Sequence, residues 1–380
     1  MCNTVWLNNW ACKKRILFRQ KESGKLMRTV QSNGRVSQGT TRRGFLGTIG
    51  LAAGAVFGAG AASGVELALP KAPETSRVSF VAGTDRRDMV VRALTPFRDE
   101  IAKGIEGRQV VIKVNMAATY IPLTATHPDA VRGLLDFLAP MYRKKVIIAE
   151  STASDEGAQK LFDHYGYSPV RKEYNVEFIE LNEQPTSPYL ILGKNLEPLE
   201  IPLIDTFRDP KSYLFSVTRP KSHNAVVVTL GLKNTVMGAP LKIYKKVSYK
   251  GMMHGRGPWW LHYNIYLVAL AVRPDFTGID GFEGCEGDGP TMGEPVDHRI
   301  ALAGEDVIAV DRIATDLMGV DIADVGYLNF CALAGLGNVD RAKIDILGTE
   351  DPAKFVRKYR MNKNIDWQMK WRKDLQLAPD

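Results

Sequence analysis

The chain has 380 residues, of which 45% are hydrophobic and 24% are charged, and this is the composition of an ordinary globular protein. It excludes a disordered polymer, a collagen-like repeat and a small disulfide scaffold, and the length allows one large or two ordinary domains. The net charge of +8 is misleading, because residues 1–65 hold ten basic residues and a single acid. The rest of the chain is close to neutral, so we expect no nucleic-acid partner.

Residues 1–65 contain the three parts of an export signal. The paired Arg42 and Arg43 precede a weakly apolar run rich in Gly and Ala, which ends in small residues around Ala62. This layout resembles a twin-arginine (Tat) signal. We therefore expect the Tat translocon to export the protein to the periplasm or another extracytoplasmic place, anchored if the signal stays uncleaved. The mature form should lack a transmembrane domain. A true start at Met27 would give the leader a more usual length.

Proline-rich residues 66–76 predict a linker, and an α/β domain follows over residues 77–350. The predicted strands are 77–82, 109–115, 145–149, 177–181, 213–217, 276–280, 299–303 and 344–347, and the predicted helices are 85–103, 129–138, 155–165, 259–272 and 305–318. Residues 182–211 predict a small antiparallel insertion. Residues 225–237 suit a helix or a strand, and the basic residues 351–380 predict a tail that forms a surface helix.

The order of these elements predicts the fold class. Apolar strands that alternate with helices indicate an α/β fold with a largely parallel sheet flanked by helices. Ligands of such sheets bind beyond the carboxyl ends of the strands. The candidate site therefore comprises the polar residues that follow the predicted strands, namely Asn115, Glu150, Arg219, Lys221, His223, Asp280 and Glu283.

The first group of candidate residues follows the second predicted strand. Lys113 and Asn115 alternate on the strand and so lie on one face, and His127 precedes a predicted helix. Together they could hold an anion or orient a metal-bound group. The alternative is a surface lysine and an asparagine that caps a turn.

The second group combines Arg219, Lys221 and His223 with Lys233 and Asn234. Three cations and a histidine within fifteen residues of an apolar stretch are costly to bury without an anionic partner. The pattern therefore predicts binding of a small anionic molecule, with a solvated loop as the alternative.

The third group is the acidic, glycine-rich run 280–290. Its carboxylates are Asp280, Glu283, Glu286 and Asp288. A tight glycine loop that turns these oxygens inward would suit Mg²⁺ or Ca²⁺, and an exposed turn with hydrated acids is the alternative. Asp311, on an apolar stretch of a predicted helix, joins Asp280 and Glu283 as a candidate metal ligand.

The cysteines limit the cofactors that the chain can bind. Cys285 and Cys331 lie in the α/β domain, and no Cys-x-x-Cys motif is present. Two thiolates cannot build a four-thiolate iron–sulfur or zinc site, so we expect no iron–sulfur cluster held by the chain's own cysteines. The sequence leaves open whether the two cysteines are bonded to each other.

Several blocks, in this order and spacing, resemble the domain of unknown function 362 family over about residues 78–348. They are Val-Ile-Lys113-Val-Asn115, Thr126-His127-Pro128, Arg219-Pro-Lys221-Ser-His223, Gly231-Leu-Lys233-Asn234 and Ala303-Gly-Glu-Asp306 with Asp311. Many members carry a fused cysteine-rich cluster module, which this sequence lacks. The resemblance implies a fold and a site but no particular reaction.

The sequence thus predicts an exported α/β protein with a polar site at the carboxyl ends of its strands. The candidate catalytic or ligand residues are His127 and His223, and the candidate anion-binding residues are Lys113, Asn115, Arg219, Lys221, Lys233 and Asn234. Three hypotheses remain open: an enzyme for a small anionic substrate with or without a divalent metal, a non-catalytic periplasmic carrier, and an accessory protein of a redox partner.

Overall fold

The computed structural model describes residues 71–118 and 120–374, so the predicted leader and residues 66–70 of the predicted linker lie outside the described residues. The strands are β1 (Ser76–Ala82), β2 (Gln109–Lys113), β3 (Val146–Glu150), β4 (Val176–Glu180), β5 (Thr186–Leu192), β6 (Pro198–Ile204), β7 (Ser212–Thr218), β8 (Lys221–Ser222), β9 (Val228–Thr229), β10 (Lys242–Ile243), β11 (Val247–Ser248), β12 (Phe276–Asp288), β13 (Met292–Gly304) and β14 (Ile344–Leu347). The helices are α1 (Arg86–Leu94), α2 (Arg98–Ile105), α3 (Pro128–Leu138), α4 (Ala158–His164), α5 (Ser168–Glu173), α6 (Gly231–Val236), α7 (Tyr249–Met252), α8 (Pro258–Ala269), α9 (Val307–Leu317), α10 (Gly326–Leu333), α11 (Ile365–Gln368) and α12 (Trp371–Asp374).

One large sheet organises the chain, in the strand order β14-β1-β13-β12-β7-β2-β3-β4. Strands β12, β7, β2, β3 and β4 pair in parallel, and β1 pairs in parallel with β14. Strand β13 runs antiparallel to its neighbours β1 and β12. The structure confirms the prediction of an α/β fold with a largely parallel sheet. It also confirms the small insertion, which is the antiparallel hairpin β5–β6.

The sheet is buried on both faces because its strands carry apolar side chains on both. On β2, Val110 and Ile112 belong to a core that includes residues of α1, α2 and α3. Val111, which points the other way, belongs to a second core with residues of α6, α8 and α9. This double burial explains the near-continuous apolar runs, which are typical of parallel strands covered by helices.

Two predicted segments have a different local structure. The predicted helix 85–103 is broken into α1 and α2 by a 3-10 turn at Thr95–Phe97, where Pro96 lacks an amide proton and its ring crowds the preceding turn. Residues 225–237, which suited helix or strand, contain both, since β9 is followed directly by α6.

The acidic run 280–290 is a strand hairpin and not the tight loop that its glycines predicted. Strand β12 continues to Asp288 and pairs with β13, with a register shift between Gly281 and Glu283. The glycines allow neighbouring side chains to pack closely against the strand backbone. A Cβ atom at Gly284 would overlap the Tyr359 ring, and a Cβ atom at Gly281 would overlap Ile300. The loop prediction was wrong because glycine marks close approach as well as turns.

The end of the described chain, residues 352–374, packs on the domain, and we call it the C-terminal strap. It contains the short helices α11 and α12 instead of the one surface helix that was predicted. The amide of Tyr359 donates to the carbonyl of Met318 at 2.9 Å, and the amide of Gly287 donates to the carbonyl of Arg360 at 2.6 Å. Within residues 71–118 and 120–374, no helix is long and apolar enough to cross a membrane.

Candidate functional site

Four buried lysines come from the end of β2, from β8, from α6 and from α7, and we call them the lysine cluster. They are Lys113, Lys221, Lys233 and Lys250, with exposed fractions of 1%, 1%, 8% and 6%. Parallel strands end at the same edge of the sheet, which brings together side chains that are far apart in the chain. Lysine ammonium groups are rarely buried without an anionic partner.

Lys113 is paired with a carboxylate. Its Nζ lies 2.8 Å from Oε1 of Glu150, the last residue of β3. The same Nζ donates to the carbonyl of Val114 at 2.6 Å and to Oδ1 of Asn234 at 3.1 Å. Lys113 is therefore fully bonded. The sequence placed Glu150 at a strand end but did not show that it neutralises this lysine.

Asn234 connects the strand ends through its side-chain amide. Its Oδ1 accepts from Lys113 and from Nδ2 of Asn115, the latter at 3.1 Å. Its Nδ2 donates to the carbonyl of Lys113 at 3.2 Å and to Oγ of Ser216 at 3.1 Å. All four hydrogen bonds that an amide can make are used, so Asn234 fixes β2, β7 and α6 relative to one another.

Lys221 has hydrogen bonds but no carboxylate in contact. Its Nζ donates to Oδ1 of Asn115 and, at 3.0 Å, to the carbonyl of Thr124. Burial, together with the charges of Arg219 and Lys233, lowers the pKa of Lys221 to about 7. The ammonium form is therefore only marginally stable at neutral pH.

Lys233 is the least satisfied member of the cluster. Among the described residues, its Nζ has no hydrogen-bond or ion-pair partner, although only 8% of the residue is exposed. Burial lowers its pKa to about 8. Its charge, after burial, contributes to lowering the pKa values of His223 and His254.

His223 is held in a defined tautomer. Its Nδ1 accepts from the amide of Ala225 at 2.9 Å and from the amide of Val226 at 3.3 Å. Nδ1 therefore carries no proton, and Nε2 is the N–H donor. Burial holds the pKa of His223 well below its usual range, with Lys233 adding to the effect. For Nε2 the described part of the chain offers no partner.

Lys250 was not predicted from the sequence, where it ends an ordinary basic run. Its Nζ donates to the carbonyls of Met237 at 3.1 Å, Gly238 at 2.8 Å and Pro240 at 2.7 Å. Burial lowers its pKa to about 7. The run Lys242 to Lys250 gives no local sign that one lysine turns inward.

His127 caps the N-terminus of α3. Its Nδ1 accepts from the amide of Asp129 at 3.2 Å. Burial and then the charge of Arg86 lower its pKa. Arg86 is itself paired with Asp280 at 3.1 Å. Among the described residues, His127 makes no direct contact with the lysine cluster or with His223.

Comparisons with known proteins identify the family. The family described as a domain of unknown function (DUF362) matches residues 110–316, more than half of the chain. The chain belongs to the DUF362 family. This confirms the family resemblance of the sequence blocks.

The DUF362 chain is also 23% identical over 227 residues to a thylakoid-associated protein of Synechocystis sp.. That alignment covers 58% of this chain and 65% of the relative, which is less than two thirds of the relative's length. A crystal structure of a protein from Thermotoga maritima shares 12% identity and a TM-score of 0.34, over 67% of this chain and 60% of that one.

In this DUF362 protein each of the four carboxylates of the acidic run 280–290 lies within ion-pair distance of a cation. The pairs are Asp280 with Arg86 at 3.1 Å, Glu283 with Arg219 at 3.0 Å, Glu286 with Arg360 at 3.8 Å and Asp288 with Lys363 at 3.1 Å. Like-charge repulsion in the run is therefore relieved by four separate cations, two of which belong to the C-terminal strap.

Asp311 lies apart from Asp280 and Glu283. Its two oxygens accept from the amides of Gly231 at 2.8 Å and Leu232 at 2.9 Å, at the start of α6. This contact lies on the α9 side of the sheet, whereas Asp280 binds α1 on the other side. Within the described residues, no three His, Cys, Asp or Glu side chains form a group that could hold a metal ion.

Both cysteines of the DUF362 domain are buried and unbonded. Cys285 and Cys331 are free thiols. Burial raises the pKa of each thiol, which keeps both protonated and unreactive at neutral pH.

Proposed function

We propose that this DUF362 protein binds a small anion, one that bears a phosphate, sulfate or carboxylate group, next to Lys233 and His223. The observation that carries the proposal is Lys233, a residue only 8% exposed, for which the described residues supply no counter-charge. An isolated buried charge is costly, and a bound anion would remove that cost.

The charge balance of the site supports an anionic ligand. Among the described residues, Lys113 is the one member of the lysine cluster in direct contact with a carboxylate, which is that of Glu150. Lys221 and Lys233 therefore remain without a carboxylate in contact among the described residues. Both can contribute positive charge to one ligand, and charge-assisted hydrogen bonds are the stronger kind.

The neutral His223 adds a directed donor to this positive site. Its Nε2–H can supply a hydrogen bond without a further charge. Lys233 and His223 are also slightly exposed, whereas Lys113 and Lys221 are sealed, so the anion would enter on the Lys233 side. An enzyme and a carrier would both use this arrangement, and turnover of a bound substrate would distinguish them.

Replacing Lys233 with Ala should weaken sulfate binding by about 10- to 100-fold, the usual value of a hydrogen bond to a charged group. Isothermal titration calorimetry of wild type and Lys233→Ala at low ionic strength measures the change. Lys103→Ala, at an exposed position of α2, is the matched control and should bind as wild type does. Equal affinity in Lys233→Ala and wild type would contradict the proposal.

The same titration gives a pH signature of the site. Sulfate keeps its two charges as the pH rises from about 6 to about 9, so any change reports on the protein. Lys221, with a pKa of about 7, and Lys233, with a pKa of about 8, lose protons over this range. Affinity should therefore fall as the pH rises, and the fall should be shallower in Lys233→Ala.

We also propose that the protein is exported through the Tat translocon. The supporting residues are Arg42 and Arg43, which lie outside the described residues. Changing both to lysine should retain the precursor in the cytoplasm, as cell fractionation and immunoblotting would show. The control changes Arg28 and Arg35 to lysine and should leave export intact. Continued export of the paired variant would contradict the Tat route.

A further inference from the structure

The turn that carries His223 has an unfavourable backbone conformation. Val227 has φ of 69°, in the left-handed region that β-branched residues rarely adopt. The amide of His223 donates to the carbonyl of Val227 at 2.8 Å, which closes the turn. Such conformations persist only when the surroundings hold them, and they cluster at functional sites. The shape of this turn decides where the His223 imidazole lies.

A single side chain of the C-terminal strap holds both ends of this turn. Oε1 of Gln368 accepts from the amide of Val227 at 2.6 Å, and Nε2 of Gln368 donates to the carbonyl of His223 at 2.7 Å. Gln368 is fully buried on α11. Its Nε2 also donates to Oδ1 of Asn364 at 2.7 Å, and Asn364 donates to the carbonyl of Asn224 at 2.8 Å.

The strap has other anchors that do not touch the turn. Nε1 of Trp371 donates to the carbonyl of Asp324 at 2.9 Å. The Tyr359 hydroxyl lies 3.0 Å from Nδ1 of His298. These contacts hold the strap in place on either side of Gln368. The Gln368 side-chain amide is therefore kept in position to bind the strained turn.

We propose that Gln368 is a positioning residue of the anion site. It holds the turn 223–227 so that Nδ1 of His223 stays bound to backbone amides and Nε2 carries the proton. This inference rests on the proposed anion-binding function. It extends the site to the C-terminal strap, which lies beyond the residues 110–316 matched by the family.

The first test follows the His223 imidazole by ¹⁵N NMR in the ligand-free full chain. Wild type should show the neutral Nε2–H tautomer without titration near neutral pH. In Gln368→Ala the turn should relax, and the pKa of His223 should rise toward its usual value of about 6.5. Arg360→Ala, which removes an exposed strap contact to Glu294, should leave the His223 signals unchanged. Unchanged signals in Gln368→Ala would overturn the proposal.

The second test is a double-mutant cycle with sulfate as the probe. Gln368→Ala should weaken sulfate binding by about 3- to 10-fold in wild type and by much less in a His223→Ala background, because the two residues act through one contact. Equal losses of sulfate affinity in the two backgrounds would overturn the proposal.

If Gln368→Ala does not fold, Gln368→Glu replaces it, since a carboxylate accepts from the Val227 amide but cannot donate to the His223 carbonyl. Absence of sulfate binding in wild type would overturn the proposed function, and the NMR signals would then decide whether Gln368 positions the imidazole.

Discussion

Replacing Glu150 with Gln should lower the free energy of unfolding by about 3–5 kcal/mol, the cost of removing one partner of a buried ion pair. The Glu150 carboxylate lies 2.8 Å from the Lys113 ammonium, and both side chains are almost fully buried. Without it, Lys113 joins Lys221 and Lys233 as a buried cation with no carboxylate in contact. Urea unfolding of wild type and variant at neutral pH measures the difference.

The control for this result is Glu177→Gln on β4, where Glu177 pairs with Lys145 at 3.5 Å and both side chains are more than half exposed. That change should cost less than about 1 kcal/mol. A similarly small loss for Glu150→Gln would show that Lys113 does not depend on its carboxylate.

The fold should become more stable as the pH rises above about 7. Burial lowers the pKa of Lys221 and of Lys250 to about 7, whereas an unfolded lysine titrates near about 10.5. Between these values the unfolded chain binds more protons, so these lysines make the fold more stable as the pH rises from about 7 to about 10. The rise should be steeper in Glu150→Gln, because its cluster has lost its contacting anion.

Replacing Asp311 with Ala should lower the free energy of unfolding by about 2–5 kcal/mol, because two buried backbone amides of α6 lose their acceptor. Asp311 is fully buried and receives the amides of Gly231 and Leu232. Asp311→Asn keeps one acceptor oxygen and should lose about half as much. Denaturant unfolding measures both variants.

A second acid on the same helix provides the control. Asp316 pairs with Arg312 at a partly exposed position of α9, so Asp316→Ala should cost less than about 1 kcal/mol.

A chelator distinguishes the binding of backbone amides by Asp311 from metal binding. If Asp311 held a metal ion, the chelator would lower the melting temperature of wild type but not that of Asp311→Ala. We expect no chelator effect in either protein.

Most of the lysine cluster could be predicted, because the end of an apolar strand can be recognised in the sequence. Lys113, Asn115 and Lys221 each follow or end an apolar strand, and parallel strands must end at one edge of the sheet. The charge balance could not be predicted, because it depends on which side chains face each other across that edge. Glu150 turns toward Lys113, and Lys250 reaches the cluster from a separate helix.

The partners of the acidic residues could not be predicted from the sequence. A run of glycines and carboxylates looks the same in a metal-binding loop and in a hairpin that packs under a basic segment. Arg360 and Lys363, which neutralise Glu286 and Asp288, lie more than seventy residues further along the chain. Asp311 was similarly misleading, since its partners are backbone amides of another helix and backbone amides carry no signature in the sequence.

The position of β1 in the sheet has a consequence for biosynthesis. Among the described residues, β1 is the first strand to leave the ribosome, yet it lies between β13 and β14: Ser79 pairs with Ala303, and Val78 pairs with Ile346. Its hydrogen-bonding edges must wait until nearly the whole domain has been translated, and pairings between such distant segments form slowly. A nascent chain of this protein therefore keeps an apolar strand unpaired until most of the domain has been synthesised.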